Sequence, residues 1–232
     1  MKIGIIGAME VEVALLKEHM TITETYDCAK MHFCAGTIGA TPVVVVQSGI
    51  AKVNAALCVQ ILVDHFQVTH VVNTGVAGSL DNALNIGDIV VSTAARYHDV
   101  DATYFGYARG EVPQMGTVSF PADPALRKAA VAAVKQTAPE ISVKEGEIIS
   151  GDQFISTPEK KKELQTFFSA ACTEMEGAAI AQAAYLNGLP FVILRAISDK
   201  ADESEEANYP QFAAEAARHC AAIVEYMVEH LK

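Results

Sequence analysis

Six short runs rich in β-branched residues, "KIGIIG", "TPVVVVQS", "HVVNTG", "GDIVVST", "EGEIIS" and "PFVILRAIS", alternate with longer stretches whose apolar residues recur at helical spacing. A run that is apolar on both faces belongs in the interior of a sheet covered on both sides. The spacing predicts helices over Glu10 to Met20, Lys52 to Phe66, Pro124 to Thr137, Pro158 to Phe167, Glu176 to Asn187 and Tyr209 to Lys232. Thr25 to Val46, with its central "AGTIGATP", reads as a hairpin. This alternation implies an α/β fold with a twisted, mixed, largely parallel central sheet flanked by helices. No linker, repeat or low-complexity tract interrupts the 232 residues, so one domain over 1–232 is expected.

Composition removes several classes of function. Hydrophobic residues make up 51% of the chain, enough for a large core or a subunit interface. The apolar runs stop far short of the roughly 20 residues that cross a bilayer. "MKIGIIGAME" has the apolar start of a leader, but Glu10 and Glu12 interrupt it, and it reads as the first strand. A net charge of −11 argues against nucleic acid or a membrane surface as partner and favours a small neutral or cationic ligand. The five cysteines show no CxxC spacing and the seven histidines no HExxH, so neither a disulfide framework nor a metal is expected. A cytoplasmic location and no cofactor follow as expectations.

In α/β sheets, ligands bind beyond the carboxyl ends of the strands. Three acidic positions fall there: Glu12 after the first strand, the pair Glu174 and Glu176 in "TEMEGAAIAQ", and Asp199 at the end of "VILRAISD". Each alone reads as a carboxylate at a helix N-terminus, worth about 0.3–1 kcal/mol, but several at one sheet edge favour a site. Glycines in "SGIAK" and "NTGVAGS" gather at the same edge, where they permit tight turns or close approach to a ligand. Neither motif is GxGxxG or GxxxxGK[ST], which weakens dinucleotide and P-loop readings; a GxSxG elbow is also absent. Tyr97 to Pro121 lacks periodicity and carries aromatics. A loop of that length is functional or covered by a neighbour; packing on its own subunit is the alternative.

Together, "GIIGAMEVEV", "SGIAKVNAA", "NTGVAG", "GDIVVSTAARYHDVDATYFGY", "SGDQFI", "EMEGAAIA" and "RAISDKAD" resemble the bacterial 5′-methylthioadenosine/S-adenosylhomocysteine nucleosidases over nearly the whole chain. "EMEGAA" is shared with related nucleoside phosphorylases, whereas the glutamate of "GAMEVEV" with "RAISD" marks the hydrolases. The resemblance implies cleavage of the N-glycosidic bond to adenine, a reaction that needs an acid for the leaving base and a base for water on the other face. On this reading Asp199 is the acid toward adenine N7, holding its proton through burial or a hydrogen bond, with Ser198 orienting it. Glu12 is the base for water, which Glu174 and Arg195 help to hold. Glu176 accepts the ribose hydroxyls and favours the cationic sugar, with Met175 along the ribose.

The resemblance further implies that Phe154 stacks on adenine, that the Ile155 backbone reads its edge, and that Val76, Ala77 and Gly78 border it. Met9, Ile50 and Tyr209 would form the thioether slot, completed by Phe105 and Pro113 of the other subunit of a homodimer. Val76 stands where some members carry serine, and Tyr209 where phenylalanine is common. The rivals are a phosphorylase, for which Arg96 is available but Glu10 and Glu12 repel phosphate; a hydrolase for an adenine nucleoside with a bulkier 5′ group; and a non-catalytic adenosine-binding module.

Overall fold

The computed structural model describes residues 1–200 and 209–231; side chains at 209–211, 213 and 214 lie outside the description, and with them the expected contact of Tyr209. Ten strands form one sheet: β1 (Ile3–Gly7), β2 (Thr21–Cys28), β3 (Met31–Ile38), β4 (Thr41–Gln47), β5 (His70–Ser79), β6 (Ile89–Tyr97), β7 (Phe120–Pro121), β8 (Val143–Ser150), β9 (Cys172–Glu174) and β10 (Phe191–Asp199). The helices are α1 (Glu10–His19), α2 (Lys52–Asp64), α3 (Pro124–Thr137), α4 (Pro158–Phe167), α5 (Gly177–Leu186) and α6 (Tyr209–His230).

The mixed α/β sheet matches expectation, and half of its ten pairings are parallel. Fully buried β1 lies between β4 and β5, parallel to both, with Ile3 opposite Val43 and His70. The sheet also closes on itself. Strand β5 pairs with β10, β10 with β6, β6 with β8, and β9 bridges β8 back to β5. Strands β1, β4, β3 and β2 extend from this ring as an open sheet. The expected hairpin is the β2–β3–β4 meander, turning at Gly39 with φ 55°.

Helices α2 and α5 cover one face through residues such as Cys58, Val59, Leu62 and Ala178 to Ala181. Helices α1, α3 and α6 cover the other through Val13, Leu16, Leu126, Ala130 and Val224. A smaller cluster of Leu80, Ile149, Ile155, Leu164 and Phe168 lies beneath α4. Proline at the first turn of α3 and of α4 follows a side-chain cap. Asp123 accepts from the Ala125 and Leu126 amides, and Thr157 from the Lys160 amide. Among the described residues no helix is long and apolar enough to cross a membrane.

Candidate active site

The short link from β1 into α1 places Glu12 in the first turn of the helix. Its carboxylate reaches back, Oε2 accepting from the amides of Ala8 (2.6 Å) and Met9 (2.9 Å), and Oε1 from Val76 N–H on β5 (3.2 Å). Such amides lack intrahelical partners, so an acidic side chain satisfies them. Burial pushes the Glu12 carboxyl up, against the pull of the Arg195 charge and these three amides. A β-carbon at Gly75 would strike Glu12 Oε1 and the Arg195 guanidinium, so glycine at this point of β5 admits both side chains.

Glu174 ends β9 and faces the N-terminus of α5. Oε2 accepts from the amides of Glu176 (3.0 Å) and Gly177 (2.8 Å), while Ser150 and Arg195 also donate to this carboxylate. Burial alone would push its carboxyl up; Arg195, the Ser150 hydroxyl and the helix amides outweigh it and hold Glu174 below the usual carboxylate range. Arg195, 1% exposed, also donates to Asn73 Oδ1 at 2.6 Å. Glu176 lies two residues on, at the helix cap. Its Oε1 accepts from Ala51 N–H at 2.8 Å, and Arg195 is 3.9 Å from Oε2. Ala51 holds φ at 80°, a conformation unfavourable for a residue with a β-carbon, and this "SGIAK" turn presents its amide to Glu176.

Burial first and the Glu174 charge second push the Glu176 carboxyl up to about 7, against Arg195 and the Ala51 amide. A folded-state value above the ordinary 4.5 means that this group favours the folded state at low pH, and the contribution is lost as pH rises through about 7. Glu176→Gln should therefore be more stable than the parent at pH 8, by on the order of 2 kcal/mol, with the difference shrinking toward pH 4.5. Melting temperature against pH for the two proteins checks this; a constant difference would contradict it.

Asp199 closes β10 just past a register shift between Ile197 and Asp199. Its Oδ1 accepts from Ser198 Oγ at 2.8 Å, a hydroxyl that also lies 3.2 Å from Ala77 O. Its Oδ2 accepts from Lys161 Nζ at 2.7 Å, and Nζ donates to the Lys200 carbonyl at 2.9 Å. Lys161 is on α4, with a side chain only 5% exposed against 32% for Asp199. Gly78 leaves room for the carboxylate: a β-carbon there would lie 3.1 Å from Asp199 Oδ2.

These side chains line one cavity of about 320 Å³, a size suited to a small ligand. Glu12, Glu174, Glu176 and Asp199 share it with Met9, Ile50, Met175 and Ser198. Val76, Ala77, Gly78, Phe154 and Ile155 also border it, the Phe154 side chain being 81% exposed. Arg195 is not on the cavity wall but behind it, holding Glu174. Phe105, 76% exposed, and exposed Pro113 do not line the cavity of their own chain. Their loop is partly packed on its own subunit through Val100, Val112 and Met115. Among the described residues no group of three or more His, Cys, Asp or Glu could hold a metal ion.

Sequence reasoning missed Ala8, Gln153, Ser156, Lys161, Thr173 and Lys200 in the wall. Lys161 had a readable signal. It stands three residues before Leu164 and seven before Phe168, on the apolar face of α4, although "KKK" looks like a solvated charge run.

The profile of the phosphorylase superfamily matches residues 2–229. A Staphylococcus aureus (strain MRSA252) 5′-methylthioadenosine/S-adenosylhomocysteine nucleosidase is 40% identical over 230 residues, spanning 99% of this chain and 100% of that protein. The chain belongs to this nucleosidase family. The solved family member from Colwellia psychrerythraea 34H, in complex with adenine, gives a TM-score of 0.94 at 43% identity, covering 100% of this chain and 96% of that one. A futalosine hydrolase of Helicobacter pylori strain 26695 is also similar, with a TM-score of 0.91 at 33% identity over 99% of this chain and 98% of that one. The nucleosidase family thus accounts for the closed mixed sheet, and its fold is shared with a hydrolase of another name.

Proposed function

We propose that this chain hydrolyses the N-glycosidic bond of 5′-methylthioadenosine and S-adenosylhomocysteine, and of 5′-deoxyadenosine, to adenine and the corresponding sugar, serving methionine salvage and S-adenosylhomocysteine recycling. The observation that carries this reading is that Glu12, Glu176 and Asp199 open onto one cavity in a member of the nucleosidase family. Asp199 protonates N7 from its Oδ1 side as the C–N bond breaks, while Lys161 stays on Oδ2. Glu12, whose carboxyl burial pushes up, takes the proton of the water that adds to C1′. Glu174, fixed from behind by Arg195, holds that water, and Glu176 binds the ribose hydroxyls and offsets the positive charge that develops on the sugar. Met175 lies along the ribose. Phe154 stacks on the base, which the Ile155 backbone reads at the edge bordered by Val76, Ala77 and Gly78.

Met9 and Ile50 form the slot for the 5′ substituent, and Phe105 and Pro113 of a second copy close it in a homodimer. Support for the second copy comes from Tyr104, Phe105, Ile50 and Val53, which leave 92%, 76%, 49% and 71% of their surfaces exposed. Sedimentation as a monomer at assay concentration would rule the dimer out.

The decisive assay incubates the protein with 5′-methylthioadenosine in phosphate-free buffer and follows free adenine by ultraviolet absorbance. Adenine and methylthioribose should form at a rate unchanged by added phosphate. A phosphate requirement with a sugar 1-phosphate product would establish the phosphorylase reading instead, and no adenine under either condition would refute both.

A further inference from the structure

The ammonium of Lys161, from α4, sits against the carboxylate at the end of β10 in a nearly closed position. A long, flexible cation normally stays in water, and fixing one inside a protein costs side-chain freedom and hydration. Here it spans Asp199 Oδ2 and the Lys200 carbonyl, so it ties the end of β10 and the residue that follows to α4. Beyond the register shift at Ser198, the Asp199 side chain is otherwise held by the Ser198 hydroxyl, which is shared with the Ala77 carbonyl.

We propose that Lys161 is a positioning residue for leaving-group protonation: it fixes Asp199 at the distance and angle from which the carboxyl reaches the purine. This rests on the hydrolytic reading above, with Asp199 as the acid. Lys161 touches neither the sugar nor the attacking water in this scheme, so its effect runs through departure of the base alone. Misplacing a reacting group by about 1 Å can cost up to about 10²-fold in rate, which sets the scale.

The test compares two substrates with the same sugar, 5′-methylthioadenosine and 4-nitrophenyl 5-methylthioriboside. Adenine must be protonated to leave; nitrophenolate leaves without a proton. Lys161→Met should lower kcat on methylthioadenosine by about 10- to 10²-fold with KM within about threefold, while the rate on the nitrophenyl riboside stays within about threefold of the parent. Lys161→Arg keeps the charge and reach and should recover part of the loss, and it carries the same two-substrate comparison if the methionine variant does not fold. Equal losses on both substrates, or an undiminished kcat on methylthioadenosine, would overturn the proposal. Asp199→Asn separates this from failure of the hydrolytic reading. If it also leaves methylthioadenosine hydrolysis intact, the role of Asp199 is wrong; if it shows the substrate contrast and Lys161→Met does not, only the lysine's role fails.

Discussion

Asp199→Asn and Glu12→Gln should each lower kcat by at least about 10²-fold, the lower range for loss of a general acid or base, with the fold intact. The side-chain carbonyl introduced by Asp199→Asn can still accept a hydrogen bond from Ser198 Oγ or Lys161 Nζ, which now meet Asp199 at 2.8 and 2.7 Å, but the amide has no acidic proton to give. Glu12→Gln likewise keeps a carbonyl oxygen for part of the amide set from Ala8, Met9 and Val76, and loses basicity. The losses should differ in kind. With a leaving group that needs no proton, the defect of Asp199→Asn should largely vanish and that of Glu12→Gln persist, because water must be deprotonated in both cases. Circular dichroism and melting curves monitor folding alongside the rates. Full activity in either variant would remove the role assigned to that residue.

The second large effect is on stability. Glu174→Leu should destabilise the fold by about 3–5 kcal/mol, the usual cost of removing one partner of a buried ion pair. Arg195 would remain charged with 1% of its surface exposed, retaining Asn73 as an acceptor but losing Glu174. The first amides of α5, at Glu176 and Gly177, would also lose their acceptor. Urea unfolding with an unchanged slope would measure the loss; a midpoint equal to that of the parent would refute it. The contrast with Glu176 is instructive, since the two glutamates are separated only by Met175. Glu174 is held charged by a full set of donors, while Glu176, next to that charge, is pushed toward neutrality.

The helices were legible where their signals are local. Asp123 with Pro124 and Thr157 with Pro158 each combine a cap with a residue preset for the first turn, and α3 and α4 begin at the proline. Strand β9 has three residues, too few to show any period, so the closure of the sheet could not be read from the chain. Strand β2 is mostly exposed and carries no apolar run to mark it. Gly75 and Gly78 looked like the end of a strand, yet β5 continues through them to Ser79. They are glycine because Glu12, Arg195 and Asp199 occupy the space a side chain would take, a tertiary cause that local reasoning does not reach.

Acidic residues at strand ends pointed to the site and the family resemblance implied the rest; thirteen of the candidate residues line the cavity. For Glu12 and Glu174 the plain alternative, a carboxylate satisfying a helix N-terminus, also holds: the same hydrogen bonds that finish α1 and α5 fix the carboxylates at the cavity. The resemblance implies Arg195 at the water, but it lies one layer back because its charge is consumed by Glu174 and Asn73. Lys161 escaped notice because a buried cation is visible only once its carboxylate partner from a distant strand is in place.

A crystal structure with a non-hydrolysable carbon-linked analogue of 5′-methylthioadenosine tests the two-sided arrangement most directly. The account predicts the purine with N7 against the Asp199 carboxyl, the ribose hydroxyls on Glu176, and a water held by Glu12 on the opposite face of the sugar. An analogue bound outside this cavity, or with Glu12 and Asp199 on the same face of the C–N bond, would contradict it.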